Sequence, residues 1–176
     1  MTDSWLDTPE HLGLGLENLP YGVIVDGQSP PQPAVAIGTY ALPLGAAAEA
    51  GLFDTAAPDP DILAAPNLDR LLAAGPAVWR TVRARATELL GNRAHAAAVR
   101  PLLLPLPRLA TPLPFTVADY VDFYSSRHHA ENLGRIFRPD SAPLLPNWTH
   151  LPVGYHGRSG TVVVSGTPIT RPHGQR

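Results

Sequence analysis

The chain has 176 residues, 13 of them Lys or Arg and 15 Asp or Glu, giving a formal charge of −2, and it contains no cysteine. Disulfides, thiolate metal sites and a cysteine nucleophile are therefore excluded, and without a Lys/Arg run there is no electrostatic footprint for nucleic acid. With 44% hydrophobic and 16% charged residues the chain can bury a core, and its length suits one medium domain or two small ones.

The 21 Pro and 15 Gly predict many turns and short elements. Met1 to Glu10 carries Asp3, Asp7 and Glu10 and no basic n-region, unlike a secretory signal. Apolar stretches are broken by Pro or charge well short of a membrane span. The expectation is a soluble cytoplasmic protein with no membrane and no nucleic-acid partner.

Tyr21-Gly22-Val23-Ile24-Val25 is a β-branched run ended by Asp26-Gly27, a strand followed by a turn. After Ser29-Pro30-Pro31-Gln32-Pro33, the run Ala34-Val35-Ala36-Ile37-Gly38 gives a second strand, and the two predict a hairpin. Further on the period changes. Asn67 can cap a helix over 68–74 that Gly75 ends, and Pro76 suits the first turn of a second helix closed by Gly91. Trp79, Val82, Ala86 and Leu89/Leu90 recur at helical spacing, so all are expected in the core.

Pro101, Pro105, Pro107, Pro112 and Pro114 predict a stiff extended connection, with a domain boundary near Thr116. Beyond it the polar chemistry concentrates: five of the seven histidines lie between His128 and Arg176. Asp119-Tyr120-Val121-Asp122-Phe123-Tyr124 reads as a strand whose alternation puts Tyr120, Asp122 and Tyr124 on one face. A carboxylate between two phenols suits either a metal or polar-substrate site or an exposed strand face.

Ser125 or Ser126 can cap a helix from Arg127. His129 shares a face with Asn132, Leu133 and Ile136, the side expected inward, and an imidazole near a strand-borne Asp is a general-base candidate. His128 and Glu131 form an alternative metal pair at a spacing common on solvated helices. Arg138 can clamp a carboxylate bidentately. Gly157-Arg158-Ser159-Gly160-Thr161 lacks the last glycine of a nucleophile elbow, and Gly13-Leu14-Gly15 lacks the third glycine of a dinucleotide loop.

Taken together, residues 119–175 resemble the fumarylacetoacetase family. The resemblance is carried by Asp119 through Arg127, His129-Ala130, Phe137-Arg138, Leu144-Leu145-Pro146-Asn147-Trp148, His150 through Arg158, and Val163 through Ile169. A looser match runs through Glu17 to Val23 and Val35 to Gly38. The resemblance implies a mostly β (α+β) fold. Residues 1–116 would be a small SH3-like barrel with attached helices, and 117–176 the start of a β-rich catalytic domain.

It also implies hydrolysis of the carbon–carbon bond of fumarylacetoacetate to fumarate and acetoacetate, the last step of tyrosine and phenylalanine catabolism. Carried over residue by residue, His129 becomes the general base, Asp122 a ligand of Ca²⁺ or Mg²⁺, and Tyr124, Arg138 and Tyr155 contacts to a diketo-acid substrate. A homodimer is implied for the full-length protein. After Thr116 the carboxylates are Asp119, Asp122, Glu131 and Asp140 alone, so the remaining metal ligands are expected beyond Arg176 and this chain is expected to be an inactive fragment. The alternatives are a related acylpyruvate or diketone hydrolase, and a non-catalytic binding or dimerisation module.

Overall fold

In the computed structural model, which describes residues 4–53, 59–118, 120–156, 160, 162–171, 173 and 174, the expected hairpin forms. Strand β1 (Tyr21–Ile24) pairs antiparallel with β2 (Gln32–Ile37), with Tyr21 opposite Val35. Strand β3 (Tyr40–Pro43) follows after Gly38 and Thr39 and pairs with β2. Gly38 sits at φ +54°, and a Cβ there would also stand 2.6 Å from the Asp7 carbonyl oxygen, so the turn requires glycine twice over. Strand β4 (Leu104–Pro105) pairs with β3, giving the order β1-β2-β3-β4.

The ends of this sheet are tied together. Ala36 N–H donates to Pro20 O at 3.0 Å, so alternation turns the backbone groups of Gly22 and Ile24 towards β2, and those of Val23 and Val25 to the other edge. There Val25 exchanges two hydrogen bonds with Ala110, at 2.9 and 3.0 Å. The segment after β4 thus returns to cover the free edge of β1, in the manner of a small barrel.

Alternation also divides the core. Val23, Val35 and Leu42 enter the main cluster with Val82, Leu89 and Leu90, while their neighbours Ile24, Ala34 and Ala41 form a second cluster with Leu104, Leu106 and Leu109. The Pro-rich stretch expected to be an extended connection is therefore part of the fold. It contributes β4 and the 3₁₀ turns Arg100–Leu102 and Leu106–Arg108, where proline falls in the first turn and needs no N–H donor.

Five helices accompany this sheet among the described residues: α1 (Leu44–Glu49), α2 (Pro60–Leu63), α3 (Asp69–Ala73), α4 (Gly75–Gly91) and α5 (Ala96–Val99). Helical residues outnumber strand residues, so the class is mixed α/β with a small antiparallel sheet. Helix α3 starts one residue later than expected, with Leu68 and not Asn67 at its N-cap and no side-chain cap bond; Asn67 still bonds into the first turn, its side-chain oxygen accepting from Asp69 N–H at 3.1 Å.

Helix α4 buries Val82, Ala86, Leu89 and Leu90. Its last-turn carbonyls, which have no partner within the helix, accept from the N-terminal segment: Trp5 Nε1 donates to Leu89 O at 3.0 Å and Ser4 Oγ to Leu90 O at 2.8 Å. Trp79 departs from the expected core stripe. It is 41% exposed and its indole N–H donates to Leu71 O at 2.6 Å, because the polar end of the ring takes a carbonyl at the C-terminal end of α3, at the rim of the packed face.

The chain divides into two compact units, Met1–Thr116 with Val164–Arg176, and Val117–Val163. Residues 164–176, placed with the second domain on sequence, group with the first unit; Ser165 lines an apolar cleft there with Tyr21 and Pro112. The smaller unit holds β5 (Asp122–Phe123), β6 (Gly154–Tyr155) and α6 (Arg127–Phe137). Among the described residues no helix is long and apolar enough to cross a membrane.

Candidate functional site

Strand β5 is shorter than the predicted run over 119–124, and Asp119 lies outside the described residues. Its alternation is nonetheless plain. Tyr120, Asp122 and Tyr124 are half-buried, whereas Val121 and Phe123 are 67% and 54% exposed. The polar face is the covered one. Asp122 stands opposite Tyr155 in the antiparallel pair with β6, and Tyr124 N–H extends the ladder to Val153 O at 2.8 Å.

Helix α6 begins at Arg127 with Ser126 at the N-cap, but no side-chain cap bond forms. Ser125 and Ser126, which the sequence offered as caps, instead line the cavity described below. The inward side of α6 is also different from the one expected. Ala130 and Gly134 are buried and Leu133 is half-buried, while Ile136 is 64% exposed. Small residues win this side because the Pro143 carbonyl packs directly on Gly134, where a Cβ would collide with it.

Between α6 and the β5–β6 pair lies a cavity of about 690 Å³. All five residues singled out from the sequence line it: Asp122, Tyr124, His129, Arg138 and Tyr155. Their mutual geometry centres on Tyr124. Its ring meets the His129 imidazole edge-to-face, with centroids 5.0 Å apart, and meets the Tyr155 ring in the same way at 5.9 Å. Tyr124 Oη donates to the His129 carbonyl at 3.3 Å, and Arg138 Nη2 donates to Pro143 O at 2.8 Å.

Desolvation holds the Tyr124 phenol above the usual range, the neighbouring Tyr155 adds to this, and Arg138 opposes both. A phenol so placed stays a hydrogen-bond donor. The cavity wall thus offers one carboxylate, one imidazole, two phenols and one guanidinium, a set suited to a small acid carrying carbonyl groups.

The alternative metal pair does not form. Glu131 gives one carboxylate oxygen to Arg127 Nε at 2.8 Å and the other to Arg135 Nη2 at 3.3 Å, and its pKa is lowered, chiefly by the Arg127 hydrogen bond. Among the described residues no group of three or more His, Asp or Glu assembles around a common point. Asp122 supplies a single hard oxygen donor of the type Ca²⁺ and Mg²⁺ take. The loop residues Gly157 and Arg158, part of the resemblance, lie outside the described residues.

The chain is similar to known proteins along nearly its whole length. A family model described as "Fumarylacetoacetase N-terminal" matches residues 17–114, more than half of the chain. Similar proteins include a fumarylacetoacetase of Oryza sativa subsp. japonica, 43% identical over 174 residues that cover 91% of this chain and 40% of the relative. Those of Bos taurus and Homo sapiens are 41% and 38% identical, each alignment covering 98% of this chain and 42% of the relative. The family model covers the sheet and helices of the larger unit, and the alignments with relatives extend over the cavity as well. The chain spans about two fifths of the length of the curated relatives it matches.

Proposed function

The chain belongs to the fumarylacetoacetase family, and from that premise we propose that its cavity is part of a site hydrolysing the carbon–carbon bond of fumarylacetoacetate to fumarate and acetoacetate. The observation that carries the reading is the convergence of Asp122, Tyr124, His129, Arg138 and Tyr155 on one cavity. Each residue type suits one demand of the reaction. A neutral His129 imidazole takes a proton from water as the water oxygen bonds to the ketone carbon. The Arg138 guanidinium pairs with a substrate carboxylate, and the Tyr124 and Tyr155 phenols donate to carbonyl or carboxylate oxygens. As the carbon–carbon bond breaks, its electron pair passes to the acetoacetate carbon, which then takes a proton.

Asp122 would hold Ca²⁺ or Mg²⁺ as one ligand among several, and the bound cation would stabilise the negative charge that develops on the substrate oxygens. In this reading the 176-residue chain is inactive alone, and a cytoplasmic homodimer of the relatives' length is the active form. The test is an assay of fumarylacetoacetate and an acylpyruvate with this chain and with the chain in a polypeptide of the relatives' length. Turnover of fumarylacetoacetate by the long form only, falling by at least about a hundredfold in H129A, is expected. Faster turnover of the acylpyruvate, or undiminished turnover by H129A, would overturn the reading.

A further inference from the structure

We propose that Trp148 is the positioning residue of this cavity, acting through Tyr124; its functional meaning rests on the hydrolase reading above. Trp148 is 8% exposed and sits on the 3₁₀ turn Pro146–Thr149. Across 24 residues of sequence its indole N–H donates to the Tyr124 carbonyl at 3.1 Å. It stands behind Tyr124, lining a smaller cavity of about 110 Å³ that shares Tyr124, Arg138 and Tyr155 with the larger one.

Tyr124 is thereby held by both of its backbone polar groups. Its N–H donates to Val153 O at 2.8 Å and its C=O accepts from Trp148. With the backbone fixed, the ring is limited to a few staggered directions, and in the one it takes it meets the His129 and Tyr155 rings edge-to-face, at interplanar angles of 76° and 83°. A residue needed for packing alone would not require an indole, because phenylalanine fills an apolar slot as well. The hydrogen bond to a residue on the cavity wall distinguishes positioning from packing.

The test uses nuclear magnetic resonance on the labelled chain. In the unaltered protein the Trp148 indole N–H is expected to exchange with solvent at least about tenfold more slowly than free indole; exchange at the free rate overturns the proposal. In W148F the cross-peak dispersion of residues 117–163 should persist while the Tyr124–His129 ring contacts weaken at least about threefold. Unchanged ring contacts in the folded variant overturn it. Should W148F lose the dispersion, 3-benzothienylalanine at position 148 decides, since it keeps the shape and removes the N–H: weakened contacts support positioning, unchanged ones refute it. These readouts need no turnover, so they can succeed where the fumarylacetoacetate assay fails, and fail where it succeeds.

Discussion

Gly134 and Pro143 are packed so closely that a Cβ on the glycine would overlap the proline carbonyl. That same carbonyl accepts from Arg138 Nη2 at 2.8 Å. One close approach therefore places both the end of α6 and the guanidinium on the cavity wall. G134A should gain a little helix propensity, roughly 0.5–1 kcal/mol. It should lose more, about 1–3 kcal/mol of overpacking, because the obstacle is backbone and not a flexible side chain. The expected outcome is a lower unfolding midpoint for residues 117–163, with the largest amide shifts over 134–145. Unchanged shifts there would show that the loop yields freely.

On helix α4 the contrast between Leu89 and Trp79 separates what periodicity reports from what it misses. Leu89 is fully buried in the main cluster, so L89A should cost about 2–5 kcal/mol, read as a drop in denaturant midpoint. Trp79 occupies the same stripe on paper but lies at its edge, with its N–H on Leu71 O. W79F removes that bond and little burial, and should cost under about 1.5 kcal/mol. Equal losses for the two variants would place Trp79 in the core after all.

Asp69 accepts from Thr116 N–H at 2.9 Å and Thr116 Oγ1 at 2.7 Å, joining the start of α3 to the end of the Pro-rich segment. These hydrogen bonds, the side-chain one first, lower the Asp69 pKa. A carboxylate depressed in the folded state contributes stability that is present above its unfolded value and lost as pH falls through its folded value. Acidification should therefore speed amide exchange at Thr116, after correction for the intrinsic rate, only once the pH drops below the ordinary Asp range. In D69N the exchange should be faster at neutral pH and show no further step on acidification. A step that survives in D69N would assign the effect to another group.

Strand pairing, the turn of Asn67 into α3, the buried part of the α4 face and the residues that line the cavity were legible because each is written in local pattern: β-branched runs, an Asn before a helix, helical spacing, and a family motif. The closure of β1 by Ala110, the role of the Pro-rich segment and the inward face of α6 were not. Each depends on a contact between residues far apart in sequence, or on a backbone carbonyl such as that of Pro143, which leaves no mark in side-chain periodicity. The Trp148 indole is of the same kind. Its bond to the Tyr124 carbonyl spans 24 residues, and nothing in the Pro-Asn-Trp motif names the acceptor.

The Tyr124 phenol gives the cavity an electrostatic signature. Desolvation is the main reason its pKa is raised; Tyr155 pushes in the same direction and Arg138 pulls against it. Removing a neighbour should therefore move the Tyr124 titration with a predictable sign. In Y155F the like-charge contribution disappears at high pH, so Tyr124 should titrate lower than in the unaltered chain, provided the ring at 155 still shields it. In R138A the attraction between guanidinium and phenolate is lost, and Tyr124 should titrate higher. Site-resolved titration of the tyrosine Cζ resonances reads both shifts. Movement in the same direction in the two variants would mean that the dominant change is solvent access to the cavity, and that Tyr155 and Arg138 do not act on Tyr124 through charge.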